Sequence, residues 1–148
     1  MQNRIKQKSQ LSLEFMLVLA ASASFLLALL PVYAQAQEKA GEKITEQAQE
    51  IAFNEIVSQA QYANTLGRNA LLTTEVFLAV QTRFSFYSQT REFRMHYENG
   101  GKNKTLAEKT SFDAIVSNEV FGRGRHEVSV SNQGTIEIGI MPASSQEK

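Results

Sequence analysis

The chain has 148 residues, of which 43% are apolar, and its 15 Lys and Arg balance 15 Asp and Glu. A net charge of zero argues against a nucleic-acid-binding protein, which is usually basic overall or carries a dense basic stripe. The chain has no cysteine and only two histidines. This composition excludes disulfides, thiolate metal sites and cysteine nucleophiles, and it disfavours a multi-histidine metal site.

A long apolar segment begins near the N-terminus. Residues 1–9 carry Arg4, Lys6 and Lys8 and no acidic residue, and 20 uncharged residues follow from Phe15 to Ala34. A helix of this length spans the hydrocarbon core of a bilayer, which is about 30 Å thick. Buried helices of soluble domains seldom lack all charge over such a length. The basic flank predicts that the N-terminus stays in the cytoplasm and that the C-terminal part is exported.

Three fates are open to such a segment. An ordinary secretory signal peptide would be removed, and the small residues Ala34 and Ala36 offer cleavage sites for it. An uncleaved segment would remain as a single-span anchor. The third fate depends on Glu14, which interrupts an otherwise apolar stretch and would cost about 3 kcal/mol near mid-bilayer and less at the interface. Glu14 either marks the membrane edge or acts after processing.

The residues around Glu14 carry a motif. Residues 10–15 read Q-x-S-x-E-F, follow Lys6 and Lys8, and precede the apolar run. This pattern, which extends over residues 1–35, resembles the class III signal peptide of archaeal type IV pilin-like proteins. The resemblance implies that a prepilin peptidase cuts between Ser9 and Gln10 and leaves the apolar helix on the mature protein. The residues it assigns to peptidase recognition are Lys6, Lys8, Gln10 and Ser12.

Cleavage at this point gives Glu14 a role. A cut after Ser9 removes the basic leader and creates an α-amino group on Gln10. Glu14 then lies in the first helical turn, where a carboxylate gains about 0.3–1 kcal/mol from the helix dipole. The resemblance implies that Glu14 pairs with the Gln10 amine of a neighbouring subunit. A buried pair of this kind specifies axial register more than it adds stability.

The helix is expected to continue beyond the apolar run. Residues 35–63 are rich in Ala, Gln, Glu and Lys, which favour helix. Apolar residues at helical spacing predict a stripe that packs on the C-terminal domain, whereas the heptad pattern is too short for a coiled coil. The members of this stripe are Ile44, Ala48, Ile51, Ala52, Phe53, Ile56, Val57 and Ala60.

The two parts predict one helix over residues 10–67, with 10–34 as the membrane or filament-core part and 35–67 as the amphipathic part. The stretch from about Leu11 to about Ala63 alone is about 80 Å long at 1.5 Å per residue. Pro31 is expected to kink the helix and Gly41 is a second flexible point. Gly67 is expected to end it.

The remaining chain has a β pattern. Alternating residues predict strands at 74–80, 83–87, 92–97, 104–108, 127–131 and 135–140, and turns at 99–101 and 132–134. Residues 111–121 remain unassigned. The fold class is therefore α+β: a long N-terminal hydrophobic and amphipathic helix followed by a small antiparallel β-sheet head domain, or a small sandwich, over residues 68–142, with a polar tail at 143–148. This plan is similar to that of type IV pilins.

Catalytic motifs are not found in the sequence. It contains no nucleophile elbow, phosphate loop or metal-ligand spacing, so neither an enzyme nor a cofactor or metal site is expected. His96 and His126 are expected to be ordinary surface residues, and residues 122–125 a turn. Asn103-Lys104-Thr105 is a sequon for N-glycosylation.

These features predict a structural subunit of an archaeal type IV pilus-like cell-surface filament. The expected precursor lies in the cytoplasmic membrane with its head outside, and the resemblance implies prepilin peptidase, an assembly ATPase and a membrane platform protein as partners. Self-assembly into a homopolymer follows through the apolar helix, with no nucleic-acid partner. Alternatives are a secreted or single-span membrane-anchored binding module, a minor pilin, or an archaellin, whose start the motif resembles less.

Overall fold

The computed structural model describes residues 2–116 and 119–143, with side chains described from residue 13 onward. Within these residues one helix precedes eight strands. The elements are α1 (Gln2–Leu66), β1 (Ala70–Leu78), β2 (Thr82–Tyr87), β3 (Glu92–Asn99), β4 (Lys102–Lys109), β5 (Ala114–Val116), β6 (Val120–Phe121), β7 (Gly124–Asn132) and β8 (Ile136–Pro142). The α+β class with a long N-terminal helix is confirmed.

The chain divides into two compact units, Met1–Gly41 and Glu42–Lys148. The first unit consists of the N-terminal part of α1, which begins at Gln2, eight residues before the expected start. Helical assignment continues through Pro31, so this proline does not end the helix. The Leu and Ala residues on both sides of Pro31 have high helix propensity and favour this continuity. The kink at Pro31 stays a prediction.

In the second unit the strands form two four-stranded sheets. The first has the order β1-β7-β8-β5, and the second has the order β4-β3-β2-β6. All pairs are antiparallel except β5 with β8, which are parallel. The predicted antiparallel head domain is therefore confirmed, with this one parallel pair added to it. Strands β5 and β6 come from the unassigned residues 111–121, and their three and two residues are too few to show an alternating pattern.

Glycines with positive φ explain the end of the helix and the sharpest turn. Gly67 has φ of 85° and follows the last helical residue, which confirms the predicted helix end. Gly100 and Gly101 have φ of 59° and 70° and connect β3 to β4. Two consecutive left-handed residues are what a two-residue hairpin turn requires, so the predicted turn is confirmed.

A single core joins the second part of α1 to both sheets. The phenyl ring of Phe93 stacks between those of Phe53 and Phe84, with ring centroids 5.5 and 5.8 Å apart. Such pairs contribute about 0.5–1.5 kcal/mol beyond the burial of their surface. The helix residues in this core are Ala52, Phe53, Ile56, Val57, Ala60 and Ala63.

Part of the predicted helix stripe faces solvent instead. Ile44 and Ile51 are 67% and 70% exposed, so their predicted packing on the sheets is wrong. Each residue turns the helix by about 100°, which places Ile51 about 140° from the buried Ile56. The inward position near the start of the stripe belongs to Gln49, which is buried and whose Nε2 donates to Thr82 Oγ1 at 3.0 Å.

Candidate functional site

The most unusual surface of the molecule is the apolar part of α1. All side chains from residue 13 to residue 41 are exposed. This stretch contains the apolar window of the helix, with a mean hydropathy of 2.4 and none of it buried. The large exposed apolar residues within it are Leu13, Phe15, Met16, Leu17, Val18, Leu19, Phe25, Leu26, Leu27, Leu29, Leu30, Val32 and Tyr33.

Exposure of this surface to water is unfavourable. Apolar area contributes about 25 cal/mol per Å² when it leaves water, and soluble monomers rarely expose large contiguous apolar patches. The helix is long and apolar enough to cross a membrane, and its lack of burial distinguishes it from the core helix of a soluble domain. These properties indicate a membrane-associated protein.

Small residues form a seam within this apolar segment. Ala20, Ser24 and Ala28 recur every fourth residue and so lie on one face of the helix. Ser24 Oγ donates to the Ala20 carbonyl at 2.8 Å, which satisfies the hydroxyl within its own helix. Small side chains allow two apolar helices to approach closely. This seam is not among the features predicted from the sequence, although its spacing of four residues is visible there.

The structure leaves the processing motif largely undescribed. Glu14 lies in α1 with an exposed side chain. The side chains of residues 1–12 lie outside the described part, and with them the predicted processing site Ser9 and Gln10, the recognition residues Lys6, Lys8 and Ser12, and the Gln10 partner of the predicted register contact. These assignments stay predictions.

Polar contacts hold the second part of α1 in its domain. Lys104 Nζ donates to Glu46 Oε1 at 2.9 Å, and this bond raises the pKa of Lys104. Asn99 Nδ2 donates to the Glu42 carbonyl at 2.7 Å. Asn132 Nδ2 donates to the Ala63 carbonyl at 3.2 Å, which satisfies one of the free acceptors in the last turns of the helix.

The face of the second sheet that points away from its core is polar. His96 lies there, as predicted, with Nε2 3.2 Å from Ser85 Oγ and Nδ1 3.0 Å from Thr105 Oγ1. Arg94 Nη2 donates to Glu92 Oε2 at 3.0 Å, and this hydrogen bond lowers the pKa of Glu92 and raises that of Arg94.

A groove of about 580 Å³ runs along this polar face. It is lined mainly by residues of β2 and β3, together with Asn103 of β4 and Val120 of β6. Asn103 is recognisable in the sequence as part of a sequon, but the groove is not predictable from it, because the groove depends on the register of four strands.

His126 corrects a second expectation. Its side chain is only 5% exposed, it contacts the ring of Phe121 edge-on, and its Nε2 lies 2.9 Å from the Gly122 carbonyl. The prediction of a surface histidine is wrong because β7 begins at Gly124, earlier than expected. His126 therefore takes an inward position in the alternation of that strand. Gly122 and Arg123 connect β6 to β7, and residues 124–125 belong to β7 rather than to the predicted turn.

Within residues 2–116 and 119–143, no group of three or more His, Cys, Asp or Glu side chains is arranged to hold a metal ion. Comparisons with protein-family models, curated proteins and solved structures give no match for this chain. The features that bear on its function are the exposed apolar helix, the N-terminal motif and the β domain.

Proposed function

We propose that this protein is a structural subunit of an archaeal type IV pilus-like surface filament. The observation that carries the proposal is the helical segment 13–41, in which every side chain is exposed, in the same chain as a domain with a complete core of its own. In the precursor, lipid covers the apolar helix. In the filament, the helices of neighbouring subunits take the place of the lipid.

The small-residue seam supports this exchange. Ala20, Ser24 and Ala28 leave room for a second helix to approach the backbone, and the Ser24 hydroxyl already has an acceptor in its own helix. Helix association in an apolar environment is driven by close van der Waals packing and hydrogen bonds rather than by release of water. A bundle of these helices therefore needs no large polar contact.

The motif at residues 10–15 supplies the second argument. After a cut between Ser9 and Gln10, the apolar helix remains on the protein and carries a positive amine at its start. Glu14 then pairs with the Gln10 amine of the next subunit, which offsets the unfavourable transfer of the carboxylate into an apolar bundle. This pair fixes the axial register of the subunits.

The precursor resides in the cytoplasmic membrane with its β domain outside, and the mature subunit resides in an extracellular filament. Prepilin peptidase processes it, and an assembly ATPase with a membrane platform protein extracts it from the bilayer.

The mature N-terminus of full-length protein from the native host tests the proposal. Mass spectrometry is expected to find a start at Gln10, and the double variant Ala34→Leu/Ala36→Leu is expected to keep it, because bulky residues block ordinary signal peptidase. A start near Gln35 or Gln37 would instead identify a secreted β domain without the helix. An intact leader on all molecules would identify a membrane anchor.

A membrane-anchored or secreted binding module is the second candidate. The polar groove of about 580 Å³ favours it, because its volume falls within the range of about 300–1,000 Å³ that is typical of ligand sites. Electron microscopy of the cell surface separates the two candidates, since only the first predicts filaments that contain this chain.

A further inference from the structure

The single Asn-x-Ser/Thr sequon of the chain lies on the outer edge of the second sheet. In the described residues β4 pairs with β3 alone, and Asn103 stands opposite Glu98. Lys104 turns toward α1, where it binds Glu46. Since side chains alternate along a strand, Asn103 and Thr105 share the outward face, and Asn103 is exposed.

The groove extends from Asn103 across this outward face. Its walls include Arg83 and Tyr87 of β2 and His96 and Glu98 of β3. These side chains combine a guanidinium donor, a carboxylate acceptor and an aromatic ring that is 47% exposed. The groove therefore presents donors, acceptors and an apolar surface to one ligand.

Contacts within the sheet hold the walls in place. His96 lies between Ser85 and Thr105. Its Nε2 is 3.2 Å from Ser85 Oγ, and its Nδ1 is 3.0 Å from Thr105 Oγ1. The Arg94 guanidinium covers the Tyr87 ring, 4.4 Å from its centroid. A ligand that binds walls already held in this way immobilises few additional side chains.

We propose that Asn103 carries an N-linked glycan and that this groove holds the sugars of the glycan. Each sugar hydroxyl both donates and accepts hydrogen bonds. It can therefore accept from the Arg83 guanidinium and donate to the Glu98 carboxylate. Glu98 stands opposite Asn103, whereas Tyr87 stands opposite Glu92, six residues away along β3, so a later sugar of the glycan packs its apolar face against the Tyr87 ring. The inference rests on the export of the β domain in the proposed function, but not on filament assembly.

Attachment is a glycosyl transfer from a lipid-phosphate-linked oligosaccharide, catalysed by an oligosaccharyltransferase of the host membrane. Asn103 Nδ2 forms a bond to the anomeric carbon of the first sugar, and the bond from that carbon to the lipid phosphate oxygen breaks. The lipid phosphate leaves with the bonding electron pair, and the amide loses one proton to a base. No oxidant or reductant takes part.

The tether makes weak contacts sufficient. A ligand attached by a short linker has an effective concentration in the millimolar range, so sugars at Asn103 occupy the adjacent groove without high intrinsic affinity.

The mass of the peptide that contains Asn103 tests the attachment, in full-length protein from the native host. Wild type and Thr105→Ser, which keeps the sequon hydroxyl, are expected to carry a glycan on this peptide, whereas Asn103→Gln carries none. An unmodified Asn103 in the wild type overturns the attachment. That result together with a Gln10 start would leave the proposed function intact.

Hydroxyl-radical footprinting of the same proteins tests the groove. Tyr87 is expected to react more slowly in the wild type than in Asn103→Gln, because a sugar packed on its ring excludes solvent from it. Tyr62, 56% exposed on α1, is the internal control and is expected to react equally in both proteins. Equal rates at Tyr87 mean that the glycan projects into solvent, which contradicts the groove assignment.

A saccharide from another molecule is the alternative occupant. The probe is the oligosaccharide pool released from the host cell envelope, added to Asn103→Gln. Slow reaction of Tyr87 in the untreated wild type assigns the groove to the chain's own glycan. Protection of Asn103→Gln by the pool, with no difference between the untreated proteins, assigns the groove to an external saccharide and overturns the inference.

Discussion

The two parts of α1 have the same backbone and opposite surroundings. From residue 13 to residue 41 no described side chain is buried, whereas from residue 49 onward the helix contributes seven buried side chains to the second unit. Those seven are Gln49, Ala52, Phe53, Ile56, Val57, Ala60 and Ala63. The more hydrophobic part of the helix is therefore the part without a partner in its own chain.

This difference separates what stabilises the fold from what the protein does. The second part of α1 gains its stability from packing within the β domain, as most helices in proteins do. The first part has an apolar surface that is stable only when lipid or other apolar helices cover it. Substitutions in the second part should therefore change the free energy of unfolding, and substitutions in the first part should change membrane association.

The largest expected effect is in the buried part. Ile56→Ala should lower the free energy of unfolding of the β domain by about 2–5 kcal/mol, because Ile56 is fully buried and its truncation leaves a cavity. Chemical denaturation of the full chain in detergent measures it. The matched variants Ile51→Ala and Leu27→Ala remove exposed side chains and should change this free energy by less than about 0.5 kcal/mol. A large loss of unfolding free energy from Leu27→Ala would show that the exposed part of α1 also stabilises the β domain.

A charge in the exposed part should act on membrane association instead. Leu27→Asp is expected to oppose insertion by about 2.5–3.5 kcal/mol, and so to move much of the protein out of the membrane fraction. The same substitution at Leu71, exposed on β1, is the control and should leave the fraction unchanged. Equal behaviour of the two variants would show that the apolar segment does not hold the protein in the membrane.

Glu14 sharpens the comparison further, because it is the acidic side chain at the start of the exposed apolar part. Glu14→Ala should still be processed after Ser9 but give several-fold fewer filaments, since the register pair with the Gln10 amine is lost. Glu38→Ala, which removes an exposed carboxylate later in the same helix, should assemble normally. The processed fraction and the filament yield are measured on the same cells, and normal filaments from Glu14→Ala would contradict the register role.

Local patterns were sufficient to predict much of the molecule. The apolar run, the Gly67 helix end and the Gly100-Gly101 turn each depend on the intrinsic preferences of a few neighbouring residues. The longer strands followed from alternation for the same reason.

The sequence-based predictions fail at positions whose environment is set by tertiary packing. Ile44 and Ile51 have helical spacing as good as that of the buried residues, and only the sheet position selects which stripe faces inward. The parallel pairing of β5 with β8 joins segments that are distant along the chain. At the candidate site, the apolar span was predictable from composition, whereas the groove near Asn103 was not, because residues of four strands form it.

The smallest expected effect concerns the charged surface of the β domain, where carboxylates have partners close at hand. The hydrogen bond from Arg94 lowers the pKa of Glu92 below its usual 4.5, and Lys109 contributes a weaker attraction. A lowered pKa in the folded state means that this pair adds stability above the unfolded-state pKa and that the gain disappears as the pH falls through the folded-state pKa.

Arg94→Gln should therefore raise the titration midpoint of Glu92, measured by NMR of its side-chain carboxyl carbon, toward the value of an unfolded peptide. Lys109→Gln is the matched control and should raise that midpoint less, because its attraction acts without a hydrogen bond to the carboxylate. Equal shifts in the two variants would mean that charge alone, rather than the 3.0 Å contact, sets the pKa of Glu92. The pKa of Glu92 would then depend on the summed charge around it and not on one specific hydrogen-bonded pair.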